Sequence, residues 1–507
     1  MAVTLPPGVS AIAMDGAVAA FRAALGSDAV LTSEQELREY RDPYAYVGSD
    51  EFTASAVVMP ASVEEVQAVL RVANEFAVPL WTFGQGRNYT YGGPAPRVRG
   101  SVIVSLRRMD RVLEISDELA YALVEPGVRF FDLYDALRAG GHRLWPSVPD
   151  IGWGSVVGNS LEHGRGYTPY GDHANSVCGM EVVLATGDVL RTGMGAMATS
   201  RSWQAHRRGF GPSPDGLFMQ SNLGIVTKLG VWLMPEPEVY LSCFARVPGD
   251  ASVAPLVNAL RRLMLDDVIR NYPLLGHGVG VGDDEDASVG GDRWAVRFAL
   301  YGREAVVEAQ YAAVADALSE VPGLELTRHA YAGGDLSGVT NHDDKVQCGI
   351  PGMELMERFK APYGEPTGHL DLSPVSPCTG REVMRLVERL RELYGRHGIE
   401  YVAGLIVEPR CVLHITTTFY DTRDEAQTRR VYEAYGDLVR ELAREGYGLY
   451  RTNLAYMDLV ADQYDFNDHA QRRFNETLKD ALDPKGILSP GKQGIWPKGM
   501  RAPRDGS

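Results

Sequence analysis

Val148-Pro149-Asp150-Ile151-Gly152-Trp153-Gly154-Ser155-Val156-Val157-Gly158-Asn159 is the stretch on which the reading of this chain turns. Its glycines lack the Cβ that would hold a ligand away, so several backbone N–H groups are free to turn toward a phosphate or a flat ring. Asp150 sits at the mouth of the run. The path that follows, Gly164, Gly166 and then Tyr167-Thr168-Pro169-Tyr170-Gly171-Asp172-His173, is too rich in turn residues for a helix or a strand. Binding and chemistry concentrate on loops of this kind.

A second glycine-rich loop lies upstream, Phe83-Gly84-Gln85-Gly86-Arg87-Asn88-Tyr89-Thr90-Tyr91-Gly92-Gly93, after the strand-like Val78-Pro79-Leu80-Trp81-Thr82. It has neither the G-x-G-x-x-G that opens a helix nor the Gly-Lys-Ser/Thr of a P-loop. Taken alone it reads equally as a tight connection. Two such loops, each beside a strand and one carrying Arg87, point to a large phosphate-bearing ligand such as FAD.

The bulk composition narrows the partners. The 507 residues are enough for about two to four domains. With 66 acidic against 50 basic residues, the net charge of −16 opposes binding to nucleic acid or an anionic lipid surface and leaves a small molecule as partner. The five cysteines are scattered without a C-x-x-C pair, which suggests neither a disulfide framework nor a metal site and suits a reducing cytoplasm. No run approaches the roughly 20 apolar residues of a membrane span. The segment from Ala11 to Leu25 reads as an amphipathic helix.

Ala56-Val57-Val58-Met59, a helix opened by Ser62 with Glu65 three residues on, and Val78 to Trp81 read as a β-α-β unit. Strands follow at Val102 to Val104 and Tyr121 to Val124, and a helix at Phe130 to Gly140. Glu181 to Arg191 reads as a hairpin turning at Thr186-Gly187-Asp188. Pro235 and Pro237 mark a boundary. Beyond it, two helix-strand alternations, Val253–Leu265 with Trp294–Tyr301 and Glu382–Arg396 with Tyr401–Tyr420, predict an α+β domain with an antiparallel sheet. Helical patterns return at Gln427 to Ala443 and His469 to Leu482.

In this order the pieces resemble the vanillyl-alcohol oxidase family of flavoproteins, in particular the branch of vanillyl-alcohol oxidase, eugenol oxidase and 4-cresol dehydrogenase. The resemblance is carried by Gly86-Arg87-Asn88 with Tyr91-Gly92-Gly93, by Pro149-Asp150 through Asp172-His173 and by Gln220-Ser221-Asn222-Leu223-Gly224-Ile225-Val226-Thr227-Lys228. Tyr450-Arg451-Thr452 and Asp483-Pro484 through Gly491-Lys492 with Trp496 complete it. It implies an α+β, two-domain FAD-linked oxidase fold. Residues 1–238 would form the N-terminal part of an FAD-binding domain, 239–445 an antiparallel-sheet cap over the substrate, and 446–507 the segment completing the FAD domain. FAD contacts are implied for Gly84, Gln85, Gly86, Arg87 and Asn88, for Pro149, Gly152, Gly154, Ser155, Gly158 and Asn159, and for Ile225, Val226 and Lys492. His369 is implied as the covalent anchor of the flavin. Without the family, His369 is an ordinary loop histidine.

For the reaction, the resemblance assigns Tyr91, Tyr450 and Arg451 to holding a phenol oxygen as phenolate. A phenol has a pKa near about 10, and a guanidinium with two hydroxyls stabilises its anion by charge-assisted hydrogen bonds. A hydride then leaves the para-benzylic carbon and a p-quinone methide results. Asp150 matches the carboxylate near that carbon, either stabilising positive charge or taking a proton from attacking water. Read singly, the residues have plainer roles: tyrosines that pack, an arginine in a surface ion pair, an aspartate capping a turn.

The implied function is an oxidase that dehydrogenates para-substituted phenols and reduces O₂ to H₂O₂. The alternatives are a dehydrogenase using a cytochrome or another acceptor, and a flavin-binding module without catalysis. Departures from the family are visible. Asp371 replaces a glycine or an aromatic and is either a pocket carboxylate facing a cationic or hydroxylated substrate group or a solvated side chain. Asn453 replaces a histidine, His206-Arg207-Arg208 an apolar stretch, and the middle domain is shorter near residues 274–292. The short Met194 to Trp203 segment points to a homodimer.

Overall fold

Ser62 does cap a helix. In the computed structural model, which describes residues 4–45, 50–277 and 294–501, Val63–Phe76 is helical and the Ser62 hydroxyl accepts from the Glu65 N–H at 3.2 Å. Glu65 reaches back to the Ala61 N–H at 2.7 Å, one residue earlier than a full capping box would use. The helix buries Val66, Val69, Leu70 and Ala73 against a four-stranded sheet. That sheet runs Val30–Leu31, Ala56–Val58, Val102–Ser105, Leu80–Phe83, and the last three strands are parallel. The helix is therefore the crossover that a parallel pair requires.

A second, antiparallel sheet has the order Val112–Ser116, Tyr121–Val124, Ile225–Trp232, Val177–Val183, Val189–Arg191. Its last two strands form the hairpin read from Glu181 to Arg191. Gly187 takes the turn with φ +90°, a conformation that favours glycine.

The third sheet holds eight antiparallel strands between Val239 and Asp421. The helices Val253–Leu265, Gly380–Arg396 and Glu425–Arg444 share one apolar core with its strands. A further helix, Glu304–Ser319, and the edge strand Glu325–Ala332 add a third alternation to the two read from sequence. Alternation along the strands decides what reaches the opposite face. Leu370 and Leu372 join the core, whereas His369 and Asp371 face the other way, and Leu405 and Val407 do the same around Ile406. A register slip of one residue would bury His369 in the apolar core.

The C-terminal segment returns to the first sheet. Leu80 donates to Ile487 O at 2.7 Å and accepts from the Ser489 N–H at 2.9 Å, extending the sheet edge. A buried pair locks this contact: Lys479 Nζ lies 2.8 Å from Asp483 and donates to the carbonyls of Asn222 and Leu488 at 2.8 and 2.6 Å. No helix among the described residues is long and apolar enough to cross a membrane. The acidic run Asp283-Asp284-Glu285-Asp286, and the part of the 274–292 stretch beyond His277, lie outside the described residues.

Candidate active site

The two glycine-rich loops meet. A Cβ on Gly84 would lie 2.4 Å from Pro126 O and 2.6 Å from Ser155 Oγ, so only glycine lets the loops close on one another. Ser155 fixes the junction by donating to Pro126 O at 2.6 Å and accepting from the Gly158 N–H at 2.9 Å. Between these loops and the eight-stranded sheet lies a cavity of about 430 Å³. Its wall includes Gly84, Gln85, Gly86, Arg87, Asn88, Pro149, Gly154, Ser155, Gly158, Asn159, Ile225, Val226 and Lys492. Tyr91, Asp150, Tyr450, Arg451, His369 and Asp371 line it as well.

Gly152 is the one implied cofactor residue that the structure turns away from the cavity. Its N–H donates to Gly352 O at 2.9 Å, and a Cβ there would lie 2.6 Å from Pro351 Cβ. Close packing on the 351–352 segment, rather than a ligand, explains this glycine.

His369 belongs to the strand Thr367–Leu372 and not to a loop. Burial lowers its pKa, so the ring is neutral. Its Nδ1 is buried with no hydrogen-bond partner among the described residues. Tyr44 and Phe359 pack on it with ring centroids 4.9 Å away, and Tyr44, Tyr89 and Trp153 continue an aromatic chain to the loop 148–159. A neutral, unpartnered imidazole nitrogen beside a close-packed glycine cradle fits a flavin with an attached ring.

At another part of the wall, the Arg451 guanidinium carbon lies 5.6 Å from the Tyr91 ring centroid and 5.4 Å from that of Tyr450. Its Nε donates to Glu162 O, while Nη2 is buried without a partner among the described residues. Lys492 holds the same residue through a 2.5 Å ion pair with the Glu162 carboxylate. The Tyr91 hydroxyl lies 3.3 Å from Ser373 Oγ. Burial, reinforced by the Tyr450 oxygen and opposed by Arg451, raises the Tyr91 pKa well above that of a free phenol, so it acts as a neutral donor. A buried cationic N–H left unpaired is costly, and an anionic oxygen in the cavity would satisfy it.

Asp150 is more elaborately held than its position in a turn suggested. Arg297 Nη2 lies 2.5 Å from Oδ1, His342 Nε2 lies 3.0 Å from the same oxygen, and the Tyr167 hydroxyl donates to Oδ2. Burial alone would raise the Asp150 pKa, but Arg297 first, then His342 and Tyr167, hold it well below the usual carboxylate range. Arg297 also pairs with Asp343 and stacks over the Tyr167 ring at 4.1 Å. Sequence reasoning missed Tyr167, Arg297 and His342. The available signal was a lone arginine inside the apolar strand Trp294–Gly302, since a buried guanidinium needs paired anions.

Comparison with known proteins gives the following likenesses in sequence and fold. Residues 54–193 match the FAD binding domain family and residues 368–493 the C-terminal domain of FAD linked oxidases. The 4-cresol dehydrogenase (hydroxylating) flavoprotein subunit of Pseudomonas putida is 34% identical, with 97% of each chain covered. The fold superposes with a TM-score of 0.91 on 4-ethylphenol oxidase from Gulosibacter chungangensis in its isoeugenol complex, at 37% identity over 98% of this chain and 100% of that one. Substrate-bound p-cresol methylhydroxylase superposes with a TM-score of 0.90 at 32% identity, covering 97% of this chain and 99% of that one.

Proposed function

Because the chain belongs to the vanillyl-alcohol oxidase and 4-cresol dehydrogenase family of FAD-dependent oxidoreductases, we propose that it dehydrogenates para-substituted phenols at the benzylic carbon, with O₂ as electron acceptor and H₂O₂ as product. The observation that carries this reading is the unpartnered Nη2 of Arg451 beside Tyr91 and Tyr450. FAD supplies the hydride acceptor and passes the electrons on. Gly84 to Asn88, Pro149, Gly154, Ser155, Gly158, Asn159, Ile225, Val226 and Lys492 are the residues that would hold it, and the His369 Nδ1, without a partner among the described residues, supports a covalent attachment.

The side chains then divide the work. Arg451 and the tyrosine hydroxyls stabilise the substrate as phenolate, whose charge pushes through the ring as hydride leaves the para-benzylic carbon. The resulting p-quinone methide adds water at the benzylic carbon or loses a neighbouring proton to give an alkene; in either case the ring regains aromaticity and the released proton ends on the former phenolate oxygen or in solvent. Asp150, kept anionic by Arg297 and His342, is a weak base, so its role is to stabilise positive charge at the benzylic carbon rather than to take the proton. Residues 239–445 are proposed as the cap, between an FAD domain built from 1–238 and 446–507. A homodimer in the cytoplasm completes the proposal.

A second reading, electron transfer to a protein acceptor, is favoured by the relative that is a flavoprotein subunit. Anaerobic mixing of the FAD-loaded protein with 4-ethylphenol, followed by air, separates the two. Bleaching of the flavin and return of its colour within seconds, with one H₂O₂ per turnover, is the expected result. A flavin that stays bleached in air for minutes indicates the protein acceptor. Failure of every para-substituted phenol to bleach it contradicts the phenol chemistry.

A further inference from the structure

Asp371 is a charged side chain of the cavity that the reaction above leaves unused. The strand Thr367–Leu372 sends His369 and Asp371 to the cavity side, and Ser373 continues the alternation to the Tyr91 hydroxyl 3.3 Å away. At about 3.4 Å per residue, Asp371 stands roughly 7 Å along the strand from both the flavin anchor and the serine that marks the phenol-oxygen end. Its carboxylate is positioned rather than loose: Oδ1 accepts from Thr417 Oγ1 at 2.8 Å, and its N–H donates to Thr90 Oγ1 at 2.7 Å. Among the described residues, no hydrogen bond reaches Oδ2.

We propose that Asp371 selects para-substituted phenols with a hydrogen-bond donor ortho to the reacting hydroxyl, the simplest class being 4-alkylcatechols; the inference rests on the phenol reading above. A carboxylate only accepts. An ortho hydroxyl gives Oδ2 the donor it lacks, whereas an ortho methoxy group turns lone pairs toward it. A plain phenolate leaves that carboxylate oxygen without the donor, in a cavity that Asp150 and the phenolate itself already make negative. A neutral donor suits the place better than an ammonium, because Arg451 already supplies the positive charge.

Catechol, phenol and 2-methoxyphenol lack the para carbon and bind without being dehydrogenated, so titration of the FAD-loaded protein by its visible spectrum gives their dissociation constants. A hydrogen bond to a charged group corresponds to a factor of about ten or more in affinity. Catechol is therefore expected to bind at least about tenfold tighter than phenol, with 2-methoxyphenol weakest. Both D371N and T417V shrink the catechol-to-phenol ratio, D371N to within about twofold, and D371N raises the turnover of 4-ethylphenol. Equal affinities in the unaltered protein, a preference for 2-methoxyphenol, or a ratio that survives in both variants overturns the proposal. Should D371N lose its flavin, the unaltered ranking and T417V decide. Anaerobic bleaching by 4-ethylphenol and 4-ethylcatechol tells the two failures apart: bleaching by both at equal rates defeats the role of Asp371 alone, and bleaching by neither defeats the phenol reading with it.

Discussion

Arg451 and Asp150 show how differently two charged side chains are legible. Each was visible as a candidate from its motif, but the chemistry of each depends on neighbours far away in the chain: Glu162 for Arg451, and Arg297 with His342 for Asp150. No local pattern reports such pairings. Two predictions belong to this scale. R451M should lower kcat/KM for 4-ethylphenol by about a hundredfold or more, with R451K intermediate because an ammonium keeps the charge and loses the planar fork. Steady-state kinetics with the flavin content measured in parallel checks this; a loss no larger than threefold contradicts it. R297M leaves Asp150 and Asp343 buried without their cation and should cost about 3–5 kcal/mol of stability, read from urea unfolding.

Elements were legible where one pattern ruled. The Ser62 helix, the Glu181 to Arg191 hairpin and the helix Val253–Leu265 combine apolar periodicity with a clear cap or turn. The helix Glu304–Ser319 was not read, because alanines blur its face and only Val307, Val314 and Leu318 are buried. The strand Glu325–Ala332 lies at a sheet edge and is mostly exposed, so it carries polar residues instead of an apolar run. The placement of His369 on a strand also escaped the sequence, since the glycine and proline before it imitate a loop. At this scale the closure of the two glycine loops is testable. G84A forces a Cβ against Pro126 O and Ser155 Oγ and should reduce the FAD content of purified protein severalfold, measured by the ratio of flavin to protein absorbance. Full FAD content in G84A contradicts the contact between the loops.

The whole molecule places one cavity against sheets from distant parts of the chain. Loops beside the first sheet, side chains of the eight-stranded sheet and the C-terminal segment all line it, so cofactor binding and global stability are linked. The family motifs made this assembly legible in outline; the partner strands of the cavity wall were not, because they are set by register rather than composition. Stability at this scale should fall on acidification. Burial pushes the pKa of His173 and His414 down to about 3, so between pH 6.5 and that value the unfolded chain holds two protons the folded chain lacks. Asp42, pushed up to about 7 by burial, opposes them with one proton bound in the folded state. His163 and His369, shifted down by burial, act with the first two, whereas His342, raised by its carboxylate partners against its burial, differs in protonation between the two states only above pH 6.5 and adds nothing to the slope below it. His173, His414 and Asp42 alone, two protons against one, lose about 1.4 kcal/mol per pH unit below about pH 6, and His163 and His369 add to that loss. Urea unfolding at pH 6.5 and 5 checks the loss, and H414Q should shrink it.

The central claim is that the cavity reacts with its substrate as a phenolate. Anaerobic stopped-flow reduction by 4-ethylphenol and by its methyl ether, 4-ethylanisole, tests this directly, since the two share the benzylic carbon and only the first can ionise. Rapid bleaching by 4-ethylphenol and none by the ether is the predicted result; bleaching by the ether at a comparable rate would contradict it.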